Sequence, residues 1–104
     1  MSSTFSPPPE EIDSVHIHAY AAIDQDVEWR GRTGGPIVVV GGELVGPVPR
    51  LAIGLNYDGK DWLLLYCTTD WESLAAVAKS SFDEAKTRAE QEYRGVSSKW
   101  IHVP

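Results

Sequence analysis

Residues 50–68 constrain the fold more than any other stretch of this chain, because a period-two pattern folds back on itself about Asp58-Gly59. Asp-Gly favours a two-residue type I′ turn, which needs positive φ at both central positions. Centring the turn there pairs Tyr57 with Lys60, Leu55 with Trp62, Ile53 with Leu64 and Leu51 with Tyr66. One face of this hairpin is then Leu51, Ile53, Leu55, Trp62, Leu64 and Tyr66, a core face. The other sets Ala52, Gly54 and Asn56 against Leu65, Leu63 and Asp61, with Cys67 beyond. Small residues beside large ones call for a close cover, either a helix or another subunit.

The elements before the hairpin are also strand-like. Val15 to Ile23 alternates, placing Val15, Ile17, Ala19, Ala21 and Ile23 on one side. A three-residue loop, Asp24-Gln25-Asp26, would bring Val27 opposite Ile23 and Trp29 opposite Ala21. The opposite face of that pair would carry His16, His18, Tyr20, Glu28, Arg30 and Arg32. Ile37 to Val40 is a short β-branched run, suited to a strand buried on both sides. Gly41-Gly42 turns into Glu43-Leu44-Val45, and Gly46-Pro47-Val48-Pro49 ends that piece.

After the hairpin, residues 73–79 read two ways. Alanine content and Thr69-x-x-Glu72 favour a helix; the short length and the restart at Ser80-Ser81 favour a strand, the preferred reading. Phe82 to Arg94 is a helix. Ser81 and Glu84 form a capping box, and Phe82, Ala85, Ala89 and Tyr93 make an apolar stripe. Glu84 with Arg88, and Glu90 with Arg94, have favourable i,i+4 spacing, and Gly95 is a left-handed terminator. The two alanines would let this helix approach Ala52 and Gly54. Residues 99–103 follow as a short edge strand or packed tail. The fold class is α+β: an antiparallel sheet of four to six strands with one C-terminal helix packed on a face. Pro7-Pro8-Pro9 marks residues 1–12 as a flexible, solvated terminus, leaving 13–104 as one domain.

Nine Lys and Arg against fifteen Asp and Glu give a net charge of −6 over 104 residues. This argues against nucleic acid and anionic membranes as partners, since both need clustered cations. One cysteine, and no charged-then-apolar leader at the start, point to a cytoplasmic protein. Catalytic motifs are missing. Gly41-x-x-x-x-Gly46 has the outer spacing of a phosphate loop, but Pro47-Val48 replace the Lys and Ser or Thr it requires. Cys67 falls on a strand, where a thiol acts as a small hydrophobe. The carboxylate pairs sit in turns and caps. No enzyme activity and no cofactor are expected.

Three binding features remain. Trp71 lies in a turn between Asp70 and Glu72, a pattern suited to a protein contact, although the indole could instead fold over the sheet edge. Tyr20, Arg30 and Arg32 share a strand face as a second candidate surface. His16 and His18, two apart on a strand, point one way as a metal or ligand pair, but a third ligand would have to come from elsewhere.

The ending, Asp83-Glu84-Ala85-Lys86 through Ala89-Glu90 and Tyr93-x-Gly95-Val96-Ser97-x-Lys99-Trp100, resembles a pattern in small bacterial α+β proteins. Leu64 to Cys67 and Asp70-Trp71-Glu72 would be the strand and tryptophan-bearing turn that precede it. Acidic immunity proteins of toxin systems are similar in size and layout. The resemblance covers about the last forty residues and implies a non-catalytic binding role. The expectation is a protein-binding domain of immunity or inhibitor type. The alternatives are a ligand or metal module on the His16/His18 face, and a homo-oligomeric structural protein that self-associates through the Leu63/Leu65 face or a strand edge.

Overall fold

The computed structural model describes residues 6–31, the backbone of 38–39, and residues 47–103. The fold is α+β. Four long antiparallel strands form its body: β2 (Val15–Ala22), β5 (Arg50–Leu55), β6 (Trp62–Cys67) and β7 (Ser73–Lys79). Two-residue strands flank them: β1 (Glu11–Ile12) and β9 (Ile101–His102) along β2, and β4 (Val38–Val39) along β7. The helix α1 (Phe82–Glu92) packs on one face.

The central hairpin has the anticipated register, with Leu51 opposite Tyr66, Ile53 opposite Leu64 and Leu55 opposite Trp62. Its turn differs. Gly59 has φ +74°, whereas Asp58 is not among the positive-φ residues. The Gly59 N–H returns to the Asn56 carbonyl at 2.8 Å, and the Asn56 N–H to that of Asp61 at 2.8 Å. A four-residue loop therefore replaces the two-residue one, with the same register. Positive φ at two central residues occurs instead at Asp13 (50°) and Ser14 (69°), between β1 and β2. There it joins an unforeseen hairpin pairing Ile12 with Val15. The sheet thus begins ahead of residue 13, and Ile12 is buried.

The Val15–Arg32 hairpin does not form. β2 pairs with β5 on one side and with β1 and β9 on the other, so neither edge is open to Val27–Trp29. The Asp24–Val27 turn is present, with Lys99 bridging Asp24 (3.2 Å) and Asp26 (3.1 Å). The chain leaving it forms β3 (Glu28–Trp29) against β8 (Tyr93–Arg94), after the helix. Trp29, expected in the core, is accordingly exposed at 38%. Strand-pairing choice depends on Tyr93 and Arg94, far along the chain from Trp29 and Glu28, which local alternation does not encode.

Residues 73–79 are a strand. Of the expected run at 37–40, Val38–Val39 are described, as a strand pairing with β7; the Gly41–Val45 turn and strand lie outside the described residues.

A bulge between Ile17 and Ala19 switches the strand's alternation. Ala19 and Ala21 join the helix-covered core with Leu51, Ile53, Leu64, Tyr66, Ala85, Ala89 and Tyr93. Val15 and Ile17 turn to the opposite face, with Ile12, Ala52, Leu65, Cys67 and Trp71. That second face is covered by the N-terminal segment and Trp71. The helix, expected over Ala52 and Gly54, packs on the other face instead. Gly54 has a positional reason: a Cβ would collide with the His16 carbonyl oxygen and sit 2.6 Å from Val15 Cγ1. The second apolar cluster lies directly behind this close approach.

The helix opens as foreseen, with the Glu84 N–H donating to Ser81 Oγ at 3.1 Å. Its side chains pair differently. Glu84 accepts from the Ser80 hydroxyl (2.7 Å), and Glu90 from the Ser97 hydroxyl (2.7 Å) and the Gly95 N–H (2.9 Å). Arg88 turns inward to Glu92 at 2.9 Å, and the Tyr66 hydroxyl donates to the same carboxylate at 2.5 Å. Burial favours this pairing, since a buried carboxylate must be matched by donors. The helix ends at Glu92, and Gly95 takes the left-handed conformation at φ +98° just beyond β8.

Candidate functional site

The turn joining β6 to β7 is built by Thr68. Its Oγ1 accepts from the Asp70 N–H (3.2 Å) and the Glu72 N–H (3.1 Å). Its carbonyl accepts from the Trp71 N–H at 3.0 Å. Thr68, rather than Thr69, therefore provides the turn chemistry, and no helix starts there. The arrangement places Trp71 in the left-handed region at φ +66°. A tryptophan there costs about 1–3 kcal/mol and persists only where surroundings compel it. Here they do. The side chain is 6% exposed, its Nε1–H donates to the Ser6 carbonyl at 2.9 Å, and its ring meets Tyr20 edge-on at 5.7 Å. Trp71 is thus not the exposed contact residue its flanking carboxylates suggest. The indole folds back over the sheet, while Asp70 and Glu72 stay exposed.

The inward fold leaves a groove of about 470 Å³ on the outer side of Trp71. Pro9, Ile12, Trp71 and Leu74 supply its apolar surface, and Glu11, Asp13 and Glu72 its charge. Among the described residues no Lys or Arg lines it. Glu11 and Asp13 reach this position through the β1–β2 hairpin, which composition and alternation do not reveal. The detectable signal was the Asp13-Ser14 pair between two apolar residues, a weak version of the Asn-Gly turn signature.

The other expected site residues separate. Tyr20 packs with Trp71 on the second face. Arg30 lies on the far side of the fold, 3.7 Å from Glu28, with its N–H donating to the Glu92 carbonyl at 2.7 Å. Arg32 lies outside the described residues. The Tyr20–Arg30 surface is therefore not assembled, because the hairpin that would carry it does not form. Leu65 is buried, and Leu63 is half-buried and packs against the same cluster.

His16 and His18 do point the same way, with ring centroids 5.2 Å apart. His18 stacks edge-on with Trp62 at 4.9 Å, and Trp62 with Phe82 at 5.4 Å. Burial, with His16 adding to it, holds the His18 imidazole below the usual histidine range. Among the described residues no three His, Cys, Asp or Glu side chains come together. This pair therefore belongs to an aromatic row beside the helix start.

Cys67 is fully buried, and burial, with the Asp13 charge, pushes its thiol up to about 12. It is a protonated packing residue at neutral pH. No helix among the described residues is long and apolar enough to cross a membrane. No family model matches the chain, and no curated protein or solved structure shows significant similarity to it.

Proposed function

We propose that this chain is a non-catalytic protein-binding domain, of immunity or inhibitor type, that holds a basic partner in the acidic groove beside Trp71. The observation that carries this reading is the groove lining: three carboxylates, Glu11, Asp13 and Glu72, over an apolar floor, with no cation among the described residues. Such a site offers buried apolar contact at its centre and charge at its rim, the usual anatomy of a protein interface. The net charge of −6 would steer a basic partner toward it.

Amide chemical-shift mapping with a ten-residue polylysine peptide tests this. The largest shifts should fall on residues 11–14 and 70–73 and should shrink as salt rises. The triple variant Glu11→Gln, Asp13→Asn, Glu72→Gln should remove them. Asparagine tolerates the left-handed conformation of Asp13, so the turn survives. Shifts centred instead on the Asp24–Asp26 turn, or spread evenly over all exposed carboxylates, would sink the reading.

A further inference from the structure

The segment Ser6–Pro9 crosses the second face of the sheet, and the contacts that hold it have a recognisable chemistry. An indole N–H, that of Trp71, reaches a backbone carbonyl at the start of the proline run, Ser6 O, at 2.9 Å. Tyr20 stands edge-on to that indole at 5.7 Å. Pro7, Pro8 and Pro9 border a second cavity with Ile17, Tyr20 and the C-terminal strand. Polyproline backbone makes no internal hydrogen bonds, so its carbonyls are free to accept from a fixed donor. Aromatic-lined grooves exploit this, because the ligand is already extended and loses little entropy on docking.

We infer that the Tyr20–Trp71 groove is a polyproline-recognition site, occupied in this structure by the protein's own Ser6–Pro9 segment, which a proline-rich segment of a partner protein displaces. The left-handed backbone of Trp71 then has a purpose beyond the turn. It aims the indole N–H across the sheet at a carbonyl 65 residues away in sequence. The internal ligand is short and weakly held. Pro7 and Pro9 are exposed, and Pro8 is only half-buried. It also leaves space: the cavity beside it measures about 290 Å³, and Ile101 and Val103 on its wall are 42% and 39% exposed.

That unfilled apolar wall selects the occupant. A second copy brings only the same short segment, which competes against a tethered one at an effective concentration of order millimolar. A longer proline-rich partner adds contact along the exposed Ile101 and Val103. This site shares Pro9 and Trp71 with the acidic groove, but its remaining wall is Tyr20, Ile101 and Val103 rather than carboxylates, so the two proposals are tested by different residues.

A synthetic decaproline peptide, titrated into the full-length protein, is the test. The Trp71 indole N–H resonance should move on binding. The double variant Pro7→Gly, Pro8→Gly weakens the internal ligand and should bind decaproline about tenfold more tightly, as the open fraction rises. Trp71→Phe removes the donor and should bind about tenfold more weakly. Tyr20→Leu, which leaves the turn untouched, should also weaken binding if the Phe variant fails to fold. The peptide is neutral, so added salt should change little, unlike the polylysine response. An indole resonance unmoved by millimolar peptide in both the native chain and the glycine variant would overturn the proposal. So would dimerisation of the protein with no response to the peptide.

Discussion

Two turns in the same sheet, Asn56–Gly59 and Thr68–Trp71, solve one geometric problem with opposite residues. In each, the fourth N–H returns to the first carbonyl, at 2.8 Å and 3.0 Å. In each, the fourth residue lies at positive φ, +74° for Gly59 and +66° for Trp71. Side-chain oxygens fasten each further, and in the first turn Asn56 Oδ1 accepts from the Tyr57 N–H at 2.9 Å. Asp58 Oδ1 accepts from the N–H groups of Lys60 (2.9 Å) and Asp61 (3.4 Å), as Thr68 Oγ1 does from Asp70 and Glu72. The glycine turn is stable on local terms alone. The tryptophan turn is locally unfavourable and depends on what the indole touches. Local strain therefore marks the place where distant parts of this chain are tied together.

The largest expected effect comes from cutting that tie. Trp71→Ala should cost about 3–5 kcal/mol, the usual range for truncating a buried large aromatic. Trp71→Gly deletes more of the side chain yet should be less destabilising, by about 1 kcal/mol, because glycine accepts positive φ freely. Urea melts of both variants measure the order; alanine the more stable would break the comparison. Cys67, buried in the same cluster, supplies a local readout. Its thiol should resist iodoacetamide in the native chain and react faster in either variant.

Gly59→Ala comes next, at about 1 kcal/mol. A Cβ there meets nothing within 4 Å, so the loss measures conformation without steric collision. Asp58→Ala and Thr68→Ala should each cost about 0.5–1.5 kcal/mol, and by similar amounts. Unequal losses would show that the turns differ in more than their left-handed residue.

Acid should act elsewhere. Asp24 is held below the usual carboxylate range by the Asp26 N–H and then by Lys99, and Glu84 by the Ser80 hydroxyl and N–H. For Glu90 burial acts upward, but its bonds from Ser97 and Gly95 outweigh it, and the net direction is down. Depressed folded values mean that these groups stabilise fully above their unfolded values, 3.8 for Asp and 4.5 for Glu. That contribution is lost as pH falls through the folded values. Amide exchange below about pH 4 should therefore rise first at the helix ends and the Asp24–Val27 turn, with the Thr68–Trp71 turn, fastened by a hydroxyl, still protected. Early loss at Thr68–Trp71 would show that its stability is not set by packing.

The readable parts of the fold were those with strong local signals. The 51–66 register followed from alternation on both sides of one turn, even though the turn itself was of another type. The helix followed from its cap and stripe. The β2 bulge was not readable, because Ile17-His18-Ala19 continues the alternation perfectly in sequence. Only the pairing with Gly54 and Ile53 reveals the shift. The site was half-legible. Asp70, Trp71 and Glu72 mark the right turn, but the indole faces inward, and the groove's other carboxylates arrive on a hairpin within a segment that looks like a loose terminus. The buried Arg88–Glu92 pair had the correct i,i+4 spacing, yet Glu84 had an equal claim on Arg88.

Sequence alone determined the elements with a repeating apolar period: the central hairpin, the helix with its cap, and hence the α+β class. Each repeats its signal within a few residues, and local sterics and burial read that signal directly. Tertiary structure decided which strands neighbour β2, which way the Trp71 indole turns, and what covers the second face of the sheet. Those outcomes rest on competition among distant partners of similar local merit. One indole–carbonyl bond between residues 71 and 6 records how that competition was settled.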